Sequence, residues 1–153
     1  MTVHHDEPGR TPVLSLLETH LAFTNAFSPP CSRHALDLDG LRASDVTFWS
    51  VRMAEQVIGC GALRELGGGH GEIKSMHTVQ NIRRLGVGSL MLRHIIAEAE
   101  GRGYDRLSLE TGSQPAFEAA RRFYERHGFA ECPPFGQYRN DRNSVFMTLK
   151  LIR

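Results

Sequence analysis

A chain of 153 residues has the size of one domain, with 41% hydrophobic residues to build a core and 23% charged residues to keep it in water. Lys and Arg number 18 against 17 Asp and Glu, a formal net charge of +1; no global field marks a binder of nucleic acid or of an acidic membrane, and any charge-based function must be local. Cys31, Cys60 and Cys132 are too few and too widely spaced for a disulfide framework or a structural zinc site with paired ligands, and read as reduced thiols of a cytoplasmic protein.

The start, MTVHHDEPGR, lacks an apolar signal core, and no run of about 18 apolar residues occurs in the chain, so neither export nor a membrane span is expected. Thr2 to His5 is read as a short edge strand. TPVLSLLETHLAF then repeats its apolar residues at Val13, Leu16, Leu17, Leu21 and Phe23, a helical spacing with Pro12 suited to the first turn, and SPP from Ser28 stops it. VTFWSVRM and QVIGCGALREL predict a hairpin turning at Ala54 and Glu55, and GGGH leads into a strand at EIKSMHTV. A helix follows from Ser89 to Glu100, turning Leu92, Ile95, Ile96 and Ala99 to a core. After GRG come a strand RLSLET, a helix AFEAARRFYERHGF closed by Gly128, and a final strand in NSVFMTLKLI. Strand, crossover helix and strand form a parallel unit behind antiparallel hairpins. The expected fold is therefore α/β: a mixed sheet flanked by helices, in a single domain over residues 1–153.

Between the strand EIKSMHTV and the next helix lies NIRRLGVGS, with Arg83, Arg84, Gly86 and Gly88. Each glycine costs about 0.5–1 kcal/mol of helix stability relative to alanine. A physical reason to keep them is that an anion must approach bare N–H groups at a helix N-terminus. The spacing is neither G-x-x-x-x-G-K-[ST] nor G-x-G-x-x-G, so a P-loop nucleotidase and a dinucleotide fold are excluded. His4 with His5, and Cys31 with His34, lack a second ligand pair at zinc spacing, and no metal is expected. Arg121 and Arg122 read as a solvated helix face.

The stretch EIKSMHTVQNIRRLGVGSLMLRHI resembles the acetyl-CoA-binding core of the GNAT superfamily of N-acetyltransferases, whose signature is [Q/R]-x-x-G-x-[G/A]. FWSVRMAEQVIGCGALREL is similar to that family's central hairpin, RLSLETG to its next strand and RRFYERHGF to its Tyr-x-x-x-Gly-Phe ending, so the likeness runs from about Asp45 to the C-terminus. With EIKSM, LSLETGS and NSVFMTL, the pattern resembles small bacterial YsnE-like members of that superfamily. The resemblance implies a GNAT-like fold whose fourth and fifth strands splay apart, with acetyl-CoA as cosubstrate between them. On that analogy the backbone of Met76, His77 and Thr78 bonds the pantetheine amides, and the N–H groups of Arg83, Arg84, Leu85, Gly86, Val87, Gly88 and Ser89 hold the pyrophosphate. Gln80 and Leu85 stand where many relatives have proline and a basic residue, and Phe117 where many have an asparagine that contacts the cofactor.

Acetyl transfer to an amine needs a base for the amine, a donor for the carbonyl oxygen and an acid for the leaving thiolate. Tyr124 matches the family's tyrosine and is the expected acid; a backbone N–H near Thr78 is the expected oxyanion donor. Glu72, fourteen residues before Gly86, stands where the histone-acetylating branch has its glutamate and is the first candidate for the base, with Glu110 and His77 as competitors. Alternation along the strand puts Glu72 and His77 on opposite faces unless a bulge intervenes. Cys60 and Cys132 lack a nearby paired base, which favours direct attack in a ternary complex over an acyl-cysteine. Asp37, Asp39, Glu65 and Tyr138 are candidates to line a pocket for a cationic amine. The expected acceptor is the primary amine of a small molecule, with a homodimer left open. The alternatives are a lysine or N-terminal acetyltransferase, which needs an open groove, and a non-catalytic CoA sensor.

Overall fold

The computed structural model describes residues 1–29, 38–79 and 85–151. Seven strands form one sheet in the order β1-β2-β3-β4-β5-β7-β6. They are β1 (Thr2–His5), β2 (Val46–Met53), β3 (Gln56–Gly67), β4 (His70–Thr78), β5 (Arg106–Gly112), β6 (Ala130–Cys132) and β7 (Ser144–Lys150). The helices are α1 (Thr11–Phe27), the single turn α2 (Leu38–Leu41), α3 (Val87–Gly101) and α4 (Glu118–Arg126), the last entered through a 3₁₀ turn at Pro115–Phe117. The mixed sheet and the hairpin turning at Ala54 and Glu55 are as the sequence predicts. The short β6, paired to β7 through Ala130↔Thr148 and Cys132↔Phe146, is not; three residues carry too little alternation to be read as a strand.

Ile58 to Leu63 of β3 are buried without interruption, because both faces of the sheet are covered. On one face α1 and α2 pack Val13, Leu16, Leu17 and Leu41 against Phe48, Cys60 and Ala62. On the other, α3 and α4 pack Met91, Leu92, Ile95 and Tyr124 against Leu63, Ile73, Leu107 and Met147. Within α3 the buried face is Val87, Met91, Leu92, Ile95 and Ala99, while the expected Ile96 is only partly covered. The helix starts two residues before the sequence reading placed it, at Val87.

Two irregularities position the site. β4 and β5, the one parallel pair, hold register only at His70↔Arg106, Gly71↔Leu107 and Glu72↔Ser108. Beyond these, β4 stays tied to β3 as far as Thr78↔Gly59, and β5 to β7 as far as Gly112↔Ser144. The inner edges of the two strands therefore part. β4 also carries a bulge: Lys74 pairs with Ala62 and His77 with Cys60, so three steps of β4 match two of β3, and Ser75 takes φ +55. An extra residue flips the alternation. The bulge that would unite Glu72 and His77 does intervene, and Glu72, Lys74 and His77 all face the α1 side.

The N-terminal segment is pinned by Asp6, whose carboxylate accepts from Arg10 Nε at 2.9 Å and Nη2 at 2.7 Å, from Arg52 Nη2 at 3.1 Å and from Ser50 Oγ. Burial pushes the Asp6 carboxyl up, but these bonds, Arg10 first, outweigh it and hold the group well below the usual carboxylate range. A folded value below the unfolded one means stability that is present above about pH 5 and lost as pH falls through the carboxylate range. Asp6→Asn is expected to flatten the acid side of a curve of Tm against pH between pH 3 and 7; an unchanged slope would show that Asp6 contributes nothing to it.

Candidate active site

The splay opens a cavity of about 700 Å³ that runs through the sheet from the α1 face to the α3 and α4 face. β4 contributes its wall from Ile73 to Thr78 and β5 from Leu109 to Gly112. Gly86 to Ser89 close one end, and His20, Phe23 and Thr24 of α1 line the other face.

At the α3 end the two glycines serve different ends. Gly86 is the residue preceding α3, with φ +81, a left-handed conformation that side chains adopt at a cost, and a Cβ there would meet nothing within 4 Å. Its carbonyl accepts the first helical bond, from Leu90 N at 2.9 Å. Among the described residues no carbonyl accepts from the N–H groups of Val87, Gly88 and Ser89. The positive end of the helix dipole lies at these amides. Gly88 serves packing instead: a Cβ there would stand 3.3 Å from the Phe123 ring of α4. Of the other residues assigned to the cofactor, Met76, His77 and Thr78 line the cavity, and Leu85 is 56% exposed and is not among the lining residues. Arg83 and Arg84 lie outside the described residues, as do Gln80, Asp37, Cys31 and His34.

Tyr124 lines the same cavity from α4 and is 7% exposed. Its ring is gripped by Phe123 and Phe129, with centroids at 5.2 and 5.6 Å. Among the described residues no group hydrogen-bonds its hydroxyl, and burial pushes the phenol above its ordinary value. The hydroxyl is therefore held protonated, as a donor, with its position set by ring packing.

The carboxylates separate. Glu72 is 2% exposed and does not line the cavity. Its Oε2 accepts from Tyr138 Oη at 2.5 Å and Lys74 Nζ at 3.3 Å, and Lys74 Nζ donates also to Tyr138 Oη at 3.0 Å. Burial, then the Glu72 charge and hydrogen bond, raise the Tyr138 phenol far above its ordinary value. Tyr138 packs in turn edge to face against Phe135 and at a tilt against Phe146, with centroids at 5.1 and 5.3 Å. Glu72 thus anchors the segment around Phe135 and Tyr138 onto the sheet, and the first position given to it as a base has to be revised: it is sealed behind Lys74. Tyr138, expected as a pocket residue, belongs to this anchor, and Asp39 and Glu65 are exposed away from the cavity. Glu110, by contrast, does line the cavity from β5, where Ser144 Oγ donates to its Oε2 at 2.7 Å.

His77 lines the cavity on the α1 face, and there it meets His20, with Nδ1 to Nδ1 at 3.2 Å. Sequence reasoning missed His20, although it stands four residues after Leu16 and three after Leu17, at the spacing of α1's inner face. It missed Lys74 and Ser75 as lining residues because nothing local announces a bulge. Phe117 is buried and touches Phe23 of α1, with ring centroids 5.6 Å apart. Arg121 is not a solvated residue: its Nη1 donates to the carbonyls of Gly112 at 2.7 Å and Gln114 at 3.0 Å, closing the end of β5. Among the described residues no group of three or more His, Cys, Asp or Glu could hold a metal ion, and no helix is long and apolar enough to cross a membrane.

A mixed sheet parted between two parallel strands, with bare helix amides at one end of the gap and a buried phenol along it, defines an acyltransferase fold. The model of the acetyltransferase (GNAT) family matches residues 14–129, and the chain belongs to that family. It is 54% identical over 146 residues to the uncharacterized N-acetyltransferase YsnE of Bacillus subtilis (strain 168), covering 95% of this chain and 96% of the relative. It is 48% identical over 150 residues to the uncharacterized N-acetyltransferase YedL of Escherichia coli (strain K12), covering 98% and 94%. Among solved structures, a chain assigned as an acyl-CoA N-acyltransferase from Klebsiella pneumoniae subsp. pneumoniae MGH 78578 superposes with a TM-score of 0.84 at 28% identity, covering 99% of this chain and 97% of the other.

Proposed function

We propose that this acyltransferase uses acetyl-CoA to acetylate the primary amine of a small molecule, by direct attack in a ternary complex. The observation that carries the reading is the cavity through the splay, which is lined by the residues at the start of α3, by Tyr124 from the α4 face and by Glu110 of β5. The amides at the start of α3, without a carbonyl partner among the described residues, suit a pyrophosphate, and the edge of β4 from Met76 to Thr78 suits an extended pantetheine arm. Acetyl-CoA supplies an activated acetyl group there.

Glu110 draws in the ammonium and takes its first proton, directly or through a water. A backbone N–H near Thr78 donates to the oxygen on which charge develops, and Tyr124 protonates the departing sulfur. Cys60 does not serve as a nucleophile: burial pushes its thiol up to about 12, and its Sγ donates to the Ser75 carbonyl at 3.1 Å. A small acceptor is favoured over a protein by the contact of Phe23 with Phe117, which joins α1 to the end of β5 beside the cavity where a peptide would need an open groove. A hydroxyl poised without a structural hydrogen bond argues against a sensor without activity.

Thiol release from acetyl-CoA against a panel of amines, amino acids and peptides tests the reaction; release with peptides alone would overturn the small-molecule reading. Acetyl-CoA should also stabilise the fold, by roughly 2.7 kcal/mol at a hundredfold excess over Kd, with NAD and ATP doing far less. Gly86→Val should fold less well, since valine resists φ +81, and should lose the ligand-induced shift in Tm. A Gly86→Val protein that shifts as the wild type does would remove the loop from the site.

A further inference from the structure

Acetylating a primary ammonium requires two protons to leave nitrogen: one before it can attack, and one after it has bonded to the carbonyl carbon. One proton returns to the sulfur, so one is released to water overall. Glu110 accounts for the first and Tyr124 for the return; the proton held by Glu110 then goes to water, and the Tyr124 phenolate regains one from water. We infer that His77 and His20 form a relay that carries off the second. This rests on the acetyl-transfer reading and adds to it the route by which the amide nitrogen becomes neutral.

The geometry restricts what the pair can be. The two rings meet edge to face, with centroids 5.0 Å apart and planes at 61°, and their Nδ1 atoms are 3.2 Å apart. Such a contact is a hydrogen bond only if one Nδ1 carries a proton and the other does not. The donating ring then has a bare Nε2, and the accepting ring a protonated one. The pair is a short wire with a proton acceptor at one end and a proton donor at the other. Both residues line the cavity, and His77 is on the α1 face beside Lys74 only because the Ser75 bulge put it there.

The relay runs with His77 toward the amine. The proton leaves nitrogen for Nε2 of His77, the Nδ1 proton of His77 crosses to Nδ1 of His20, and the Nε2 proton of His20 passes to water. The starting tautomers return when water protonates His20 Nε2, the Nδ1 proton crosses back to His77, and His77 Nε2 gives its proton to water. Burial, and then the neighbouring His77 ring, hold the His20 imidazole down at about 4, so His20 passes on the proton it receives rather than keeping it. A weak base suffices, because a nitrogen bonded to the carbonyl carbon is far more acidic than a free ammonium.

The neighbouring groups are otherwise engaged. From β4, Lys74 is bound to Glu72; from β3, Cys60 beneath His77 is bound to the Ser75 carbonyl; from β5, Glu110 holds the incoming ammonium; from α4, Tyr124 serves the sulfur and Arg126 is a cation.

Long-range ¹⁵N spectra of the imidazoles test the wire without any substrate. One of the two rings should be the Nδ1–H tautomer and the other Nε2–H; two Nε2–H rings would overturn the relay. For the chemistry, thiol release is measured for wild type, His20→Gln, His77→Gln and the double variant, with melts to confirm folding. Each single change should lower kcat by about 10–10²-fold with little change in the KM for acetyl-CoA. The double variant should be no slower than the worse single one, since a wire cut once is already broken, and added imidazole should restore part of the rate to His77→Ala. Losses that multiply in the double variant, or single variants with full kcat, would refute the relay. A wild type that releases no thiol with any amine, while the spectra still show the paired tautomers, would fail the acetyl-transfer reading itself and take the relay with it.

Discussion

Tyr124→Phe is expected to slow acetyl transfer by roughly 10²–10⁴ in kcat, the usual range for a positioned general acid, while leaving the fold and the affinity for acetyl-CoA nearly intact. The ring supplies the packing, against Phe123 and Phe129, and the hydroxyl makes no structural hydrogen bond among the described residues. Removing one oxygen therefore leaves no buried partner unsatisfied. A thiolate departs tolerably without help, which places the loss toward the lower end of the range. Because burial keeps the phenol protonated, the loss should be nearly constant across neutral pH. Turnover is measured beside acetyl-CoA binding: weaker binding with unchanged chemistry would make the hydroxyl a cofactor anchor, and full turnover would make Tyr124 a core residue only.

Glu72, the first candidate for the base in the sequence, and Glu110, its competitor, should give opposite results. Glu72→Ala removes the buried carboxylate that both the Lys74 ammonium, 8% exposed, and the Tyr138 hydroxyl donate to. Breaking one side of such a buried pair costs about 3–5 kcal/mol, so the loss should appear in the denaturation midpoint. Glu110→Gln removes the charge but keeps an oxygen that can accept from Ser144 Oγ. Its cost should fall on kcat/KM, by tenfold or more near neutral pH, and should shrink as rising pH delivers the amine already neutral. A Glu72→Gln protein of wild-type stability but with this pH-dependent defect would return the base to Glu72.

Much of the fold is written locally. Helical spacing at Val13, Leu16 and Leu17, the alternating strands on either side of Ala54 and Glu55, and glycine between a strand and a helix are repeated signals over short windows, and periodicity resolves such windows. The same is true of the α3 loop, since the need for bare amides is met by neighbouring residues, and of Tyr124, whose place is fixed by the helix that carries it.

What sequence by itself determined is therefore the set of elements, the glycines at the start of α3 and the place of Tyr124 on α4, each of which depends on residues within a turn or two of one another. Tertiary structure alone decided which carboxylate reaches the cavity and what stands beside His77. The Ser75 bulge exists only in the pairing of β4 with β3, where three residues oppose two, and it reverses the face of every side chain after it. Glu72 is buried by Tyr138, 66 positions further on, and His77 meets His20 from 57 positions away. Contacts of that separation arise when α1 and the segment around Phe135 close over the sheet, and no local pattern of residue types encodes which polar groups that closure will pair.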